Sequence, residues 1–284
     1  MNRLKHVIIA CYRNMLSLYH AMNWTIDALI LKKSIRYQKS LEIDLSAKVL
    51  ILAPHSDDEW IGCSRIIVNM PNSIIINMNM EGGDDPQKHL LRNNEMMRLA
   101  NDFNRKIVNI GTDKIGSLIQ IIQEESPSYI CVPYFFDWHV EHIKVLRILN
   151  DSIQCSNYYG KIISYHISVP LPLEASNCVM PLSKIDQAKK WELFLQYYPS
   201  QSFMPILRFK NHEKISGALI GSYAAEVYNC IPVQDWQRNI AKYSLSQKES
   251  EMLKQNLCSI RKIHNLINRM HLDKTKNYIS NETY

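Results

Sequence analysis

The feature that most constrains the fold is an alternation of short apolar runs and amphipathic segments that starts at residue 47. Apolar runs rich in β-branched residues predict strands at 47–53, 73–80, 106–110, 129–133 and 162–169. Helices are predicted at about 59–70, 87–103, 114–125, 139–153 and 184–198. Continuous apolar runs such as AKVLILA are typical of strands that are buried on both faces. The sequence therefore predicts an α/β fold, with a Rossmann-like, mostly parallel sheet and helices on both faces.

The two ends of the chain differ from this pattern in charge and periodicity. Residues 1–39 hold seven Lys and Arg against Asp27 alone and predict a basic, amphipathic helix. Residues 241–284 predict a basic C-terminal region whose closing helix, 245–271, packs on the central domain or extends from it. The formal net charge of +6 belongs to these ends. We expect one central domain at 40–240, flanked by two helical extensions.

The N-terminal segment predicts a helix that lies on a surface rather than one that crosses a membrane. Its apolar stretch contains Arg13, His20 and Asp27, which a spanning helix would have to bury. The helix either packs against the domain or a second subunit, giving a homo-oligomer, or contacts an anionic membrane peripherally. Seven cysteines without a C-x-x-C pair favour free thiols, and no signal peptide is expected. We expect a cytoplasmic protein, with any peripheral contact at the inner face of the membrane.

Two polar clusters follow the first and fourth predicted strands. The sequence PHSDDE occupies 54–59, and DWHVEH occupies 137–142. Because the carboxyl ends of parallel strands share one edge of a sheet, the clusters can face each other. Two histidines and one aspartate suit Zn²⁺ or another divalent transition metal and leave a position open for water. Each cluster alone also has a structural interpretation, in which His55 bonds to backbone and Asp57 and Asp58 cap the next helix.

These residues resemble the motifs of a known enzyme family. APHSDDEWIG at 53–62 resembles the A-H-P-D-D-E signature of the PIG-L/LmbE-like zinc-dependent N-acetylglucosaminyl deacetylases, and HVEH at 139–142 resembles their H-x-D-H motif. Further elements resemble the family in the same order along the chain, over roughly 47–230: Glu81-Gly82-Gly83, Arg92-x-x-Glu95, Ser200-Gln201 and YAAEVY at 223–228. The resemblance implies an LmbE-like deacetylase domain.

The resemblance also implies roles for the first cluster and its partner histidine. His55, Asp58 and His142 resemble the zinc ligands, with Fe²⁺ or another divalent transition metal as the alternative ion. Asp57 resembles the general base that activates the zinc-bound water, and Glu59 supports the site. Because a metal already acidifies its water, the base needs no strongly raised pKa.

The second cluster and one arginine receive roles in the same way. His139 resembles the histidine that stabilises the tetrahedral oxyanion and protonates the leaving amine, with Glu141 orienting it. Arg92 resembles the arginine that binds sugar hydroxyls, and its alternative is a helix-surface pair with Glu95. Ser56 stands where the family usually has Pro, and Glu141 stands where it usually has Asp. Neither departure removes an implied ligand or the base.

The sequence therefore predicts a metal-dependent hydrolase that removes an N-acetyl group from an amino sugar or its conjugate. A phosphate- or lipid-linked glycan precursor is one such conjugate. The alternatives are an amidase acting on a larger amide and an inactive carbohydrate- or metal-binding module of the same fold. Nucleic-acid binding is not expected, because the basic C-terminal tail lacks stacking aromatic residues and a recognisable motif.

Overall fold

The computed structural model describes residues 2–80 and 85–282, so the Glu81-Gly82-Gly83 element lies outside the described residues. Within these residues seven strands form one sheet, in the order β3-β2-β1-β4-β5-β7-β6. Their bounds are Val49–Ala53 (β1), Ser73–Asn77 (β2), Lys106–Asn109 (β3), Tyr129–Pro133 (β4), Lys161–Tyr165 (β5), Cys178–Leu182 (β6) and Ala224–Pro232 (β7). Strands β1 to β5 pair in parallel, whereas β7 is antiparallel to β5 and β6. The predicted mostly parallel sheet is confirmed.

The described helices alternate with the strands and then close the chain. Their bounds are Asn2–Ser34 (α1), Asp58–Asn69 (α2), Pro86–Asp102 (α3), Lys114–Glu125 (α4), Val140–Ser156 (α5), Lys184–Tyr197 (α6), Ile206–Gly217 (α7), Val233–Lys242 (α8), Gln247–Asn256 (α9) and Ile260–Glu282 (α10). Side-chain caps fix several starts: Asp85 accepts from two N–H groups at the beginning of α3, and Ser183 forms a reciprocal capping box with Asp186 at α6.

Hydrophobic cores lie on both faces of the sheet. Leu50 and Leu52 of β1 belong to one core, which also contains side chains of α4, α5, α8, α9 and α10. Val49, Ile51 and Ala53 belong to the other core, with side chains of α2, α3, α6 and α7. All five residues of β1 are fully buried, as the continuous apolar run predicted. The prediction of helices on both faces is confirmed.

The strand order reverses between β1 and β4. These two strands pair from Val49↔Tyr129 to Ile51↔Cys131, and the chain leaves β1 towards β2 on one side while β4 lies on the other. In open parallel sheets, ligands bind in the crevice beyond the carboxyl ends of the strands at such a reversal. Both polar clusters recognised in the sequence, at 54–59 and 137–142, follow these two strands.

Several predicted elements differ in extent or were missed. The strand predicted at 162–169 ends at Tyr165, where the chain leaves the sheet. The closing helix predicted at 245–271 was wrong as a single helix: α9 ends at Asn256 and α10 begins at Ile260. The break follows from Ser259, whose hydroxyl accepts from the Lys262 N–H and caps the second helix. The hydrophobic pattern alone gave no clear prediction for four elements: β6, β7, α7 and α8.

Helix α1 packs along one face and exposes the other. Trp24 Nε1 donates to the Cys258 carbonyl at 2.8 Å, and the Asp27 carboxylate accepts from the Ser259 hydroxyl and the Arg261 N–H at the beginning of α10. Ala28 packs in a small apolar cluster with residues of α7 and α10. Within the described residues, no helix is both long and apolar enough to cross a membrane.

Candidate metal centre and active site

A strained turn places the first cluster at the end of β1. Asp57 has a φ of 130°, a conformation that costs a non-glycine residue about 1–3 kcal/mol. The Glu59 carboxylate accepts the Asp57 N–H at 3.1 Å, and the Tyr198 hydroxyl donates to the other oxygen of Glu59. The Asp57 carbonyl accepts the first bonds of α2, from the N–H groups of Trp60 and Ile61. Glu59 therefore holds the turn in which Asp57 and Asp58 are presented.

Three side chains converge on one point beyond the strand ends. Asp58 Oδ2 lies 3.1 Å from His55 Nδ1 and 3.4 Å from His142 Nε2, and the two nitrogens are 3.3 Å apart. Donor atoms that hold one ion at 2.0–2.1 Å in tetrahedral geometry are separated by roughly 3.3–3.4 Å. The triangle therefore has the dimensions of one face of a tetrahedral coordination sphere, and its two imidazoles and one carboxylate suit a divalent transition metal.

Asp137 fixes the orientation of His142. Its Oδ2 lies 2.8 Å from His142 Nδ1, and its Oδ1 accepts the His139 N–H at 2.9 Å. A carboxylate on Nδ1 keeps the proton there and leaves the lone pair of Nε2 free to bind a metal. Sequence reasoning had placed Asp137 in the second cluster without a role. One signal in the sequence could have identified it: Asp137 is a carboxylate that follows a buried strand and comes just before the two histidines.

His139 lies next to the triangle without being part of it. Its ring centroid is 5.1 Å from that of His55 and 4.8 Å from that of His142. The three histidines also form a group whose ligand atoms lie within 4.8 Å of one another. The triangle with Asp58 is more compact and matches a single ion better. Glu141 Oε2 lies 2.9 Å from His139 Nδ1, so the carboxylate orients the ring and leaves Nε2 directed elsewhere.

Arg92 contacts the predicted base. Its guanidinium Nη2 donates to the Ser56 carbonyl at 2.8 Å and lies 3.4 Å from Asp57 Oδ1. The second oxygen of Asp57, Oδ2, is buried and has no hydrogen-bond partner among the described residues. Buried carboxylate oxygens are normally satisfied, so an open one points towards a group that the protein is built to bind. The structure thus brings Arg92 to Asp57.

Burial and neighbouring charges separate the pKa values of the carboxylates. Burial raises the pKa of Asp57 well above its usual range, and the negative charge of Asp58 adds to this, against the opposing effect of Arg92. Burial would raise the pKa of Asp58 too, but the charge and hydrogen bonds of His142 and His55 outweigh it and lower that pKa. Burial raises the pKa of Glu59 to about 7 despite the hydrogen bond from Tyr198. Of these three carboxyl groups Asp58 therefore has the lowest pKa and is the most readily ionised, as a metal ligand requires.

The His139–Glu141 pair is less buried than the triangle. Burial and the positive charges of His142 and His55 lower the pKa of His139, although Asp137 and Glu141 oppose this. Burial would raise the pKa of Glu141, but hydrogen bonds from its own backbone N–H and from His139 lower it. The lowered pKa favours the neutral form of His139, which can accept a proton before it donates one.

The sequence matches no protein-family model and no curated protein. Several solved structures resemble it at low identity, among them the following two. The N,N'-diacetylchitobiose deacetylase from Pyrococcus horikoshii aligns over 66% of this chain and 84% of its own, with a TM-score of 0.54 and 18% identity. The conserved protein TT1542 from Thermus thermophilus aligns over 64% of this chain and 93% of its own, with a TM-score of 0.51 and 16% identity. The chain has their fold. The predicted α/β architecture is confirmed.

The later motifs of the sequence contact the earlier ones. Glu95, on α3, accepts the Ser200 N–H at 3.0 Å and the Ser200 hydroxyl at 2.5 Å, which links the Arg-x-x-Glu and Ser-Gln elements. Arg92 and Glu95 therefore have different partners. The first reaches Asp57 and the second fixes α3 to the segment after α6, so the alternative of a helix-surface pair between them is wrong.

A buried ion pair supports α2 at its one irregular position. Cys63 has non-helical backbone angles, and in an unbroken helix the Arg65 N–H would donate to the Ile61 carbonyl. Instead Glu226 accepts the Arg65 N–H at 2.8 Å, and Lys190 Nζ donates to the Ile61 carbonyl at 2.8 Å. Lys190 and Glu226 are themselves 2.6 Å apart. Through Glu226, the YAAEVY element at 223–228 thus stabilises the helix whose first turn carries Asp58.

Proposed function

We propose that this protein is a metal-dependent hydrolase that removes an N-acetyl group from an amino sugar or its conjugate, releasing acetate and a free amine. The observation that carries the proposal is the triangle of His55, Asp58 and His142 beside the open oxygen of Asp57, at the reversal of the strand order. These side chains and His139 lie together beyond the ends of β1 and β4, which supports a metal, a base and an acid in one site. The name of the Pyrococcus neighbour, N,N'-diacetylchitobiose deacetylase, supports an N-acetylated amino sugar as substrate.

His55, Asp58 and His142 would hold the ion. A divalent metal bound there acidifies water and polarises a carbonyl oxygen. Asp57 accepts a proton from the attacking water through Oδ2, which has no other hydrogen-bond partner among the described residues. Its raised pKa brings it closer to the operating pH, where a general base is most effective. Arg92 holds the other oxygen and keeps the carboxylate aimed.

His139 supplies the proton that the leaving amine needs. An amide nitrogen leaves poorly as an anion, so bond cleavage requires an acid next to it. His139 takes up the proton that Asp57 removed from the water, directly or through solvent, and passes it to the nitrogen as the C–N bond breaks. Asp57 is thereby a carboxylate again and His139 is neutral again. Glu141 stabilises the imidazolium that forms in between. In its charged form His139 also stabilises the negative charge on the tetrahedral carbonyl oxygen.

Zinc is the metal that we propose, since two imidazole nitrogens and one carboxylate oxygen with an open fourth position form a zinc set typical of hydrolases. The same ligands can bind Fe²⁺, which is the alternative metal. Elemental analysis of protein purified with and without oxygen distinguishes them. About one zinc per chain under both conditions supports the proposal, and iron that is lost in air contradicts it.

The direct test of the activity is acetate release from free, nucleotide-linked and polyprenyl-linked N-acetylhexosamines by the metal-loaded protein. Asp57→Asn should lower the rate about 10²–10⁴-fold and leave the metal content unchanged. Asp151→Asn, which changes an exposed carboxylate on α5, is the matched control and should behave as wild type. A wild-type protein that binds metal but cleaves none of these substrates would favour the inactive binding module.

We propose that the protein is cytoplasmic and contacts an anionic membrane peripherally through α1. Large apolar side chains are exposed along one stripe of this helix at Met15, Leu18, Met22, Ile26 and Leu29. Residues 1–39 carry seven basic side chains against one acidic one, which complements anionic lipid.

Vesicle flotation tests the membrane contact. Wild type should float with phosphatidylserine vesicles but less with phosphatidylcholine vesicles, and the double variant Met22→Glu, Ile26→Glu should stay in solution. Leu272→Glu, at an exposed apolar position on α10, is the control. Equal flotation of the double variant and wild type would reject the membrane contact. Sedimentation of wild type as a dimer that the double variant abolishes would assign the stripe to a second subunit.

A further inference from the structure

A cavity of about 620 Å³ lies beside the candidate active site. Pockets of roughly 300–1,000 Å³ are large enough to bury most of a drug-sized ligand. The wall of the cavity includes His139 and Glu141 but none of the residues His55, Asp58 and His142. The cavity therefore adjoins the site on the side of its predicted acid, not on the side of its metal triangle.

The wall comes from two parts of the chain. One part is the end of β4 and the first turns of α5, with Trp138, Val140 and Ile143. The other part is the segment from Ile240 to Lys254, which comprises the end of α8, the connection and α9. This second part follows residue 230, beyond the part of the sequence that carries the deacetylase motifs. The cavity is therefore a feature that the C-terminal extension adds to the catalytic domain.

The lining combines apolar and polar side chains. Most of the apolar ones come from α5 and the connection between β4 and α5, and the segment from Ile240 to Lys254 adds polar ones such as Ser244 and Gln247. Val140 is 61% exposed although it stands between two residues of the predicted site, and Leu245 contributes a second partly exposed aliphatic surface. Exposed aliphatic side chains in a concave wall, with polar side chains among them, are typical of a pocket that binds an apolar group and orients it by a few polar contacts.

The charges of the wall do not select an ionic group. Asp137 and Glu141 are already bonded to histidines. The remaining charged side chains, Arg147, Glu251 and Lys254, are of mixed sign, and Lys254 Nζ lies 5.4 Å from the Trp138 ring centre. An uncharged occupant is therefore favoured over an anion.

The position of the cavity indicates which half of the substrate enters it. In the proposed reaction the carbonyl carbon lies towards the metal triangle and the leaving nitrogen lies towards His139. The acyl half and the amine half of the substrate are therefore on opposite sides of the scissile bond. Because the cavity is on the side of His139, it adjoins the amine half.

We propose that this cavity is a binding site for an apolar alkyl or aryl group carried on the amine half of the substrate, such as the aglycone of an N-acetylated amino sugar. The inference rests on the proposed deacetylase function, and it adds that the physiological substrate is a conjugate rather than a free sugar. The C-terminal extension then acts as a specificity element that favours substrates with an apolar group at the end distant from the acetyl.

The test compares three N-acyl glucosamine derivatives. These are the methyl and hexyl glycosides of N-acetylglucosamine and the methyl glycoside of N-hexanoylglucosamine. We expect a KM about 10- to 100-fold lower for the hexyl than for the methyl glycoside, because each buried methylene adds binding energy. The N-hexanoyl compound should show no such gain. If it alone gained, the cavity would bind the acyl group, and the proposal would be overturned.

Two variants on α9 locate the effect. Ser250 lines the cavity, and Ser250→Trp should fill it and reduce the KM ratio of methyl to hexyl glycoside to about 1. Lys248, on the same helix, is exposed and does not line the cavity, so Lys248→Trp should keep the full ratio. A ratio that is the same in both variants would contradict the proposed site.

A binding measurement separates this proposal from the proposed function. Calorimetric titration with hexyl and methyl glucosaminide, the expected amine products, does not depend on turnover. Tighter binding of the hexyl compound that Ser250→Trp abolishes supports the cavity even if no acetate is released. Equal binding of the two products by wild type overturns the proposal even if acetate release is observed.

Discussion

The Asp137 carboxylate lies 2.8 Å from His142 Nδ1 and, through its other oxygen, 2.9 Å from the His139 N–H nitrogen. One side chain therefore orients a predicted metal ligand and positions the backbone of the predicted acid. Because one carboxylate bonds to both, a displacement of Asp137 would affect both histidines. Asp137 and His142 are both buried, where hydrogen bonds to a charged group contribute most.

Asp137→Asn should weaken metal binding. The amide can still accept from His142, but it loses the negative charge that makes the imidazole a better ligand. We expect metal affinity to fall about 10- to 100-fold, measured by competition with a chromophoric chelator. Asp151→Asn, at an exposed position later on α5, should leave the affinity unchanged. Unaltered affinity in Asp137→Asn would mean that His142 is oriented by packing alone.

Arg92→Met should move the acid limb of the pH–rate profile to higher pH. The guanidinium lowers the pKa of Asp57 against burial, so its removal raises that pKa. A base with a higher pKa becomes protonated at a higher pH. As the pH is lowered, activity is therefore lost earlier than in wild type. The readout is kcat/KM against pH for acetate release. Arg98→Met, on the same helix but bonded to the Tyr197 carbonyl, should keep the wild-type limb. A shift towards lower pH would contradict the proposed contact.

The parts of the fold that rest on local pattern could be predicted from the sequence. The runs at β1 and β4 are apolar because both faces of these strands are buried, and that composition alone identified them. Strand β6 contains Pro181, which is tolerated there because β6 lies at the edge of the sheet, but which argues against a strand when read locally. Helix α7 buries Asn211, His212 and Glu213, so its inward face does not read as apolar. Tertiary contacts decide both elements.

The predicted site residues were also found by local pattern, and their partners were not. His55, Asp57 and Asp58 stand together in one motif, and His139 and His142 stand in another. The distances between the two motifs could be predicted only with the strand order. That order places β4 next to β1, although β2 and β3 lie between them in the sequence. Tyr198, which bonds to Glu59, comes 139 residues after it, and no spacing rule connects them.

Lys190→Met should destabilise the protein strongly. Lys190 is buried between Glu226 and Glu213 at 2.6 and 2.8 Å, and its removal leaves both carboxylates without their cation. Loss of one partner from a buried ion pair costs about 3–5 kcal/mol. Urea denaturation measures the free energy of unfolding. Lys189→Met, at the adjacent exposed position, should change it by less than about 0.5 kcal/mol. Similar values for the two variants would show that the pair adds nothing to stability.

His264→Gln should make stability less dependent on pH in acid. Burial lowers the pKa of His264 to about 3, with a further contribution from His166, and its Nε2 is 3.0 Å from His212 Nδ1. Below about pH 6.5, His264 binds a proton in the unfolded chain but not in the folded chain. Stability that is present above that pH is therefore lost as the pH falls towards 3, by about 1.4 kcal/mol per unit for this histidine.

Urea denaturation at pH 7.5, 6.0 and 5.0 measures this dependence. The free energy of unfolding of His264→Gln should fall less steeply below pH 6.5 than that of wild type, because glutamine can keep a hydrogen bond to His212 but does not titrate. His20→Gln, on the partly exposed surface of α1, is the control and should retain the wild-type slope. Equal slopes for wild type and His264→Gln would mean that His264 is protonated in the folded protein, with His212 or water as its acceptor.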